Sequence, residues 1–297
     1  MRATIQLCTY NRAALLERVL DACFEQTARE YEVVLVNDGS SDNTADVIER
    51  ARSRATCAFT VINQQNSGLA KGRNAGIAAA RGERIIFIDD DVLPIPVFVE
   101  EHLRSHERFP QRIVRGGAIN VESFDDLPPP VWTLKNYSGN FFWTTNVSVP
   151  LETIRAIGGF NETFAEYGWE DIDVGLRLRS RGVKATFNKR ALAYHYKPRP
   201  KRSEIPKMIR QARAQARTAV QLWALHPNWR TMLATAYSPA HDAIQKWIDG
   251  ISPYKSAEAL EQGGEYLTDR ELRAVHRVVR HAYFDELRHA RTARSNG

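Results

Sequence analysis

Arg84-Ile85-Ile86-Phe87-Ile88-Asp89-Asp90-Asp91 decides how this chain folds. Four large apolar residues in a row, then a sudden stop, suit a short strand buried on both faces. The stop is three adjacent carboxylates. They repel one another unless a cation or solvent relieves them, and hard oxygen ligands of this kind suit Mg²⁺ or Mn²⁺.

Working outward, the same pattern recurs three times upstream. Thr4–Cys8 reads as a strand and runs into Thr9-Tyr10-Asn11-Arg12. Glu32–Val36 runs into Asn37-Asp38-Gly39-Ser40-Ser41-Asp42. Phe59–Ile62 is followed by Asn66-Ser67-Gly68-Leu69-Ala70-Lys71-Gly72-Arg73-Asn74. Between them, Asn11–Gln26, Ser41–Arg54 and Leu69–Ala80 carry helical spacing or helix-start residues. Strands alternating with helices of this length predict an α/β, Rossmann-like architecture: a mostly parallel sheet flanked by helices. Ligands of such sheets gather at the carboxyl ends of the strands, where all four polar loops fall.

Two familiar nucleotide signatures are missing. No Gly-x-Gly-x-x-Gly follows the first strand and no Gly-Lys-Ser/Thr loop occurs, which argues against a dinucleotide dehydrogenase and a P-loop NTPase. Gly68 and Gly72, with Lys71 and Arg73, still suit a diphosphate.

Downstream, Pro94, Pro96 and Pro128-Pro129-Pro130 interrupt the rhythm. Thr144–Val149 reads as a strand, Asp171–Arg181 as a helix, and Val183–Phe187 and Ala191–Tyr196 as two short strands. Gly158-Gly159-Phe160 and Gly168-Trp169-Glu170-Asp171-Ile172-Asp173 form a second constellation. Its Glu-Asp pair sits at a helix start, where the helix dipole favours negative charge.

These motifs, taken in order, resemble a family 2 glycosyltransferase of the GT-A fold. The Gly-Gly-Phe and Gly-Trp-Glu-Asp block is similar to the acceptor-side segment of β-galactosyltransferases. The resemblance covers about residues 3–200. It implies a catalytic domain over 1–200, with a nucleotide-binding half in 1–100 and an acceptor and catalytic half in 101–200.

It also implies roles. Thr9, Asn11, Arg12 and Asp38 hold the base and ribose of a nucleotide-sugar donor, and Asn66, Lys71 and Arg73 lie near the base or diphosphate. Asp89-Asp90-Asp91 is the Asp-x-Asp motif. Asp91 is its direct metal ligand, Asp89 contacts the ribose or the metal's waters, and Asp90 lies between them. His195 is either a third metal ligand or a satisfied structural residue. Asp171 is the general base toward an acceptor hydroxyl, Glu170 binds sugar hydroxyls, and Trp169 either stacks on a sugar or sits in the core. Trp143 and Asn146 shape the donor-sugar and acceptor pocket. The implied enzyme is inverting and uses Mn²⁺ or Mg²⁺. Its donor is a UDP-sugar, with GDP- or dTDP-sugars and a non-catalytic nucleotide or glycan-binding homologue as alternatives. Its acceptor is a glycan, a lipid-linked molecule or another hydroxyl compound.

Residues 201–297 lie outside the resemblance. The net charge of +6 sits wholly here, with 16 Lys plus Arg against 10 Asp plus Glu, whereas residues 1–200 balance at 25 each. Met208–Leu225 and Glu271–Arg294 read as basic amphipathic helices. They are expected to be solvated faces packed on the rest of the chain, with a membrane surface or a homodimer contact as alternatives. No nucleic-acid motif is present. Three cysteines without metal-type spacing, the absence of a secretory pattern at the start and the lack of an apolar run of about 18 residues lead to an expectation of the cytoplasm, with peripheral contact at the inner membrane face as its extension.

Overall fold

A computed structural model describes residues 1–251, 260 and 262–295. They fall into two compact units. One comprises Met1–Ala165 with Glu170–Pro198, the other Glu166–Trp169 with the chain from Arg199 onward.

The first unit begins with four strands, β1 (Ala3–Thr9), β2 (Tyr31–Asp38), β3 (Ala58–Gln64) and β4 (Arg84–Phe87). They are linked by helices α1 (Ala13–Phe24), α2 (Thr44–Arg54) and α3 (Leu69–Ala79). β2, β1 and β4 are neighbours in parallel, and β3 lies parallel outside β2. Alternation along β4 explains its uninterrupted apolar sequence. Ile86 joins Ile5, Leu7, Val33, Leu35 and residues of α1 and α2 in one core cluster. Ile85 and Phe87 join Ile77 of α3 in a second.

The sheet then continues with β5 (Val92–Pro94), α4 (Phe98–Arg108), β6 (Ile113–Val121), β7 (Val147–Pro150), α5 (Leu151–Ala156), α6 (Glu170–Ser180) and β8 (Ala185–Tyr196). The eight strands lie in the order β3-β2-β1-β4-β7-β6-β8-β5. β7 is antiparallel to both β4 and β6, and β5 is antiparallel to β8, so the sheet is mixed. The sequence pattern did not reveal β5, β6, α4 or α5. The two strands expected at Val183–Phe187 and Ala191–Tyr196 are one, paired to β6 across a register shift between Arg115 and Gly117.

The second unit is helical: α7 (Ile205–Leu225), α8 (Trp229–Thr235), α9 (Pro239–Ile251) and α10 (Asp269–Ser295). Ala216, Ala219 and Val220 of α7 pack with Leu287 of α10, and Ile205 packs with Val275 and Val278. The buried Arg202 ties this unit together through Leu260 O (2.6 Å), Gly264 O (2.8 Å) and Glu271 (2.8 Å). Arg217 pairs with Glu166 and Glu286. The apolar residues Ala216, Ala219 and Val220 of α7 and Val275, Val278 and Leu287 of α10 therefore face protein. No helix among the described residues is long and apolar enough to cross a membrane.

Candidate active site

Parallel pairing carries the ends of β1 to β4 to one sheet edge, and their polar loops interlock there. Thr9 closes β1 and donates through Oγ1 to Asp90 Oδ2 at 2.8 Å. Arg12, just before α1, reaches Asp91 Oδ2 at 2.6 Å and Asp90 Oδ1 at 3.3 Å. Burial, joined by the neighbouring Asp91 and Asp89, pushes the Asp90 carboxyl up to about 7, against the pull of Arg12 and Thr9.

Asp38, at the end of β2, is buried and its carboxylate is taken up by its own chain. Oδ1 accepts from Gln64 Nε2 (2.7 Å) and Ser67 N (3.0 Å), and Oδ2 from Gly68 N (3.0 Å). Asp38 thus clamps the β3–α3 loop. Gly39 is required beside it, because a Cβ there would lie 2.6 Å from Asn66 N and its φ is +79°. Asn11 is likewise a loop organiser: its backbone is left-handed (φ 53°) and its Oδ1 accepts from Ser41 N at 2.7 Å. Asn66 and Lys71 are exposed on the same loop and the first turn of α3.

Arg73 is 4% exposed and turned into the protein. Its guanidinium donates to Glu170 Oε1 (2.7 Å), Asp89 Oδ1 (3.1 Å) and Thr144 Oγ1 (2.8 Å), above the Phe160 ring. Burial works against its charge, but the Glu170 and Asp89 carboxylates more than offset this, and its pKa is raised. Asp89 Oδ2 accepts from Thr145 Oγ1 at 2.9 Å. Asp171, half-buried at the start of α6, accepts from Ile172 N at 2.7 Å. Burial and the adjacent Glu170 charge push its carboxyl up to about 7, while Arg73 pulls the other way. A carboxylate poised near neutrality suits proton transfer at ordinary pH.

β8 delivers the last group. His195 is paired in register with Val92, and Tyr196 N donates to Asp91 O at 2.9 Å. His195 Nε2 comes to 3.6 Å from Asp91 Oδ1, too far for a hydrogen bond. Asp91 Oδ1 and His195 Nδ1 are both buried without a hydrogen-bond partner. Two ligands of one Mg²⁺ or Mn²⁺ at about 2.1 Å and right angles to tetrahedral angles lie roughly 3.0–3.5 Å apart. At 3.6 Å the Asp91–His195 pair lies just beyond that span, and the unpartnered Asp91 Oδ1 is the atom that suits a divalent cation. Asp89 is turned to Arg73 and Thr145 instead, and among the described residues no group of three His, Cys, Asp or Glu side chains is arranged to hold a metal ion. Trp143 flanks His195 edge-on at 6.2 Å between ring centroids.

Asn146 and Trp169 are both engaged inside the protein, Trp169 in the packed position that was one of its two expected places. Asn146 is 1% exposed. Its Nδ2 donates to Gly117 O (2.9 Å) and Ala191 O (3.0 Å), and its Oδ1 faces His102 Nε2 at 3.0 Å, so it bridges β6 and β8 inside the core. Trp169 belongs to the other unit: its Nε1 donates to Gln215 O at 2.7 Å and its ring packs on the cluster around Ala216 and Ala219. Thr144 and Thr145, which hold Arg73 and Asp89, were not singled out. Two adjacent hydroxyls beside the expected pocket residue were the available signal.

The model of the glycosyl transferase family 2 matches residues 4–158, more than half of the chain. The chain belongs to this family. A second match, to the N-terminal domain of galactosyltransferase, covers residues 133–201. The family 2 chain is 29% identical over 224 residues to validoxylamine A glucosyltransferase of Streptomyces hygroscopicus subsp. jinggangensis, covering 63% of this chain and 53% of that protein. It is 23% identical over 243 residues to chondroitin synthase of Escherichia coli, covering 68% of this chain and 35% of that protein. The chain spans about half the length of the glucosyltransferases it matches. Among solved structures, mannosyltransferase PcManGT from Pyrobaculum calidifontis, in complex with GDP-Man and Mn²⁺, superposes with a TM-score of 0.61 at 20% identity, over 98% of this chain and 86% of that one. TarS 1–349 of S. aureus gives 0.58 at 18% identity, over 100% and 92%. The fold is GT-A with a C-terminal helical extension, and the chain is a family 2 glycosyltransferase.

Proposed function

We propose that residues 1–200 form the catalytic domain of an inverting, metal-dependent glycosyltransferase that moves a sugar from a UDP-sugar to an acceptor hydroxyl. The observation that carries the reading is the pair Glu170–Asp171 linked through Arg73 to Asp89, with Asp171 raised to about 7. Asp171 takes the proton from the acceptor hydroxyl as its oxygen attacks the anomeric carbon. With Asp171 as base, the displacement is direct and the anomeric configuration inverts. Glu170, fixed by Arg73, turns its remaining oxygen to sugar hydroxyls. Asp91 Oδ1 and His195 Nε2 would hold Mn²⁺ or Mg²⁺, with Arg12 keeping the Asp91 carboxylate in place. When bound, that cation neutralises charge on the departing diphosphate.

Solved relatives in complex with UDP, with UDP-GlcNAc and with GDP-Man support a nucleotide-sugar donor, and two solved with Mn²⁺ support the metal. A GDP-sugar is the second reading, supported by the solved mannosyltransferase in complex with GDP-Man. Calorimetric titration of UDP and GDP, with and without Mn²⁺, tests both. Metal-dependent binding of UDP alone upholds the first reading. Preference for GDP replaces the donor, and binding of neither moves the assignment to another nucleotide or to a non-catalytic homologue.

A further inference from the structure

The outer helices of the C-terminal unit are inside out. On α8, Thr231 and Thr235 are buried, and Thr235 O accepts from Tyr283 of α10 at 2.6 Å. The apolar Trp229 and Leu233, one turn apart, are each 58% exposed. On α9 the buried face is also polar. Gln245 is buried, Asp242 pairs with Arg288 at 2.9 Å, and Asp249 meets His281 at 3.1 Å. Ile244 and Trp247 face solvent at 55% and 65% exposure. Helices of globular proteins normally turn the apolar stripe to the core. Here ion pairs and hydroxyls fix both helices to their own unit and leave the apolar stripes without a partner among the described residues.

The size and charge of this surface select its occupant. Each stripe offers two large side chains a little over half exposed, well short of the ~800 Å² per partner that a stable protein interface needs. Shallow insertion into a lipid headgroup region needs no such area. Indole rings favour that depth, and cationic residues beside them favour anionic lipid. Arg230 stacks on Trp229 at 4.4 Å from the ring centroid, and Lys246, exposed beside Trp247, also pairs with Asp242 at 3.3 Å. The surrounding segment carries the entire positive excess of the chain.

We propose that α8 and α9 dock this unit on an anionic bilayer surface, with Trp229 and Trp247 at headgroup level and no helix crossing. The inference is independent of the donor and of the chemistry proposed above. The full chain is floated with phosphatidylcholine vesicles and with phosphatidylcholine–phosphatidylglycerol vesicles while tryptophan emission is recorded. Binding to the anionic vesicles alone, a blue shift and release at high salt are expected. Trp229→Gln/Trp247→Gln should weaken partitioning by at least about tenfold with an unchanged melting temperature. Leu233→Ser/Ile244→Ser repeats the test on different side chains if the first pair fails to fold. Failure of the unaltered chain to float overturns the proposal, as does flotation that both double variants leave unchanged. So does concentration-dependent dimerisation that the variants abolish, since a second copy would then cover the face.

Discussion

Arg73 and Glu170 are 97 positions apart in sequence and 2.7 Å apart in space. The same guanidinium holds Asp89, so one buried cation ties the end of β4 to the start of α6. Removing it leaves both carboxylates uncompensated. Arg73→Met should cost about 3–5 kcal/mol of unfolding free energy, measured by denaturant titration. Arg73→Lys keeps the charge but cannot span three partners. It should fold, lower kcat more than it raises KM, and move the acid limb of the pH–rate profile upward, because Arg73 pulls the Asp171 carboxyl down.

Asp171 must be ionised to accept a proton, so kcat/KM should rise with pH to a plateau above about 7. Asp171→Asn should abolish transfer and leave nucleotide affinity within about twofold, which rules out a donor-binding role.

The same residue carries a stability signature. Its folded pKa of about 7 lies above the ordinary 3.8, so the folded state binds the proton more tightly and loses stability as pH rises from about 4 through 7. Asn carries no such penalty. Thermal unfolding should show Asp171→Asn more stable than the parent by about 4 kcal/mol at pH 8, with the gain gone near pH 4.

Asp91→Ala and His195→Ala should each reduce the effect of Mn²⁺ on nucleotide affinity by at least about tenfold in calorimetry. Asp89→Ala should instead lower stability, because its oxygens are held by Arg73 and Thr145. An unchanged Mn²⁺ effect in both Asp91→Ala and His195→Ala would place the cation elsewhere.

Asn146→Ala should destabilise the fold by about 2–4 kcal/mol, since Gly117 O, Ala191 O and His102 Nε2 all lose a buried partner. Nucleotide affinity at low temperature should be unchanged. A selective loss of affinity would return Asn146 to the pocket.

The half of the sheet that was legible is the half written in simple periods. β1 to β4 are apolar runs ending in polar loops, and their parallel order follows from the helices between them. β6 was hidden because Arg115, Gly116 and Gly117 interrupt its apolar pattern. β8 split in two because Asn188, Lys189 and Arg190 lie in its middle. At the site, the acids were visible as chemistry. Their partners were not, because Arg73 turns inward and Asn146 faces His102 only through contacts made 97 and 44 positions away. Trp169 shows the same limit: Gln215 and its neighbours, 46 positions on, decide what its ring does.

The clamp that Asp38 places on Ser67 and Gly68 has a thermodynamic consequence for nucleotide capture. The loop after β3 is ordered when the chain folds, so an arriving ligand does not have to immobilise it. Capture should be rapid and should carry little entropic penalty from this loop. Asp38→Asn, which keeps the shape of the side chain but weakens its grip on the two amides, would return that penalty to the binding step.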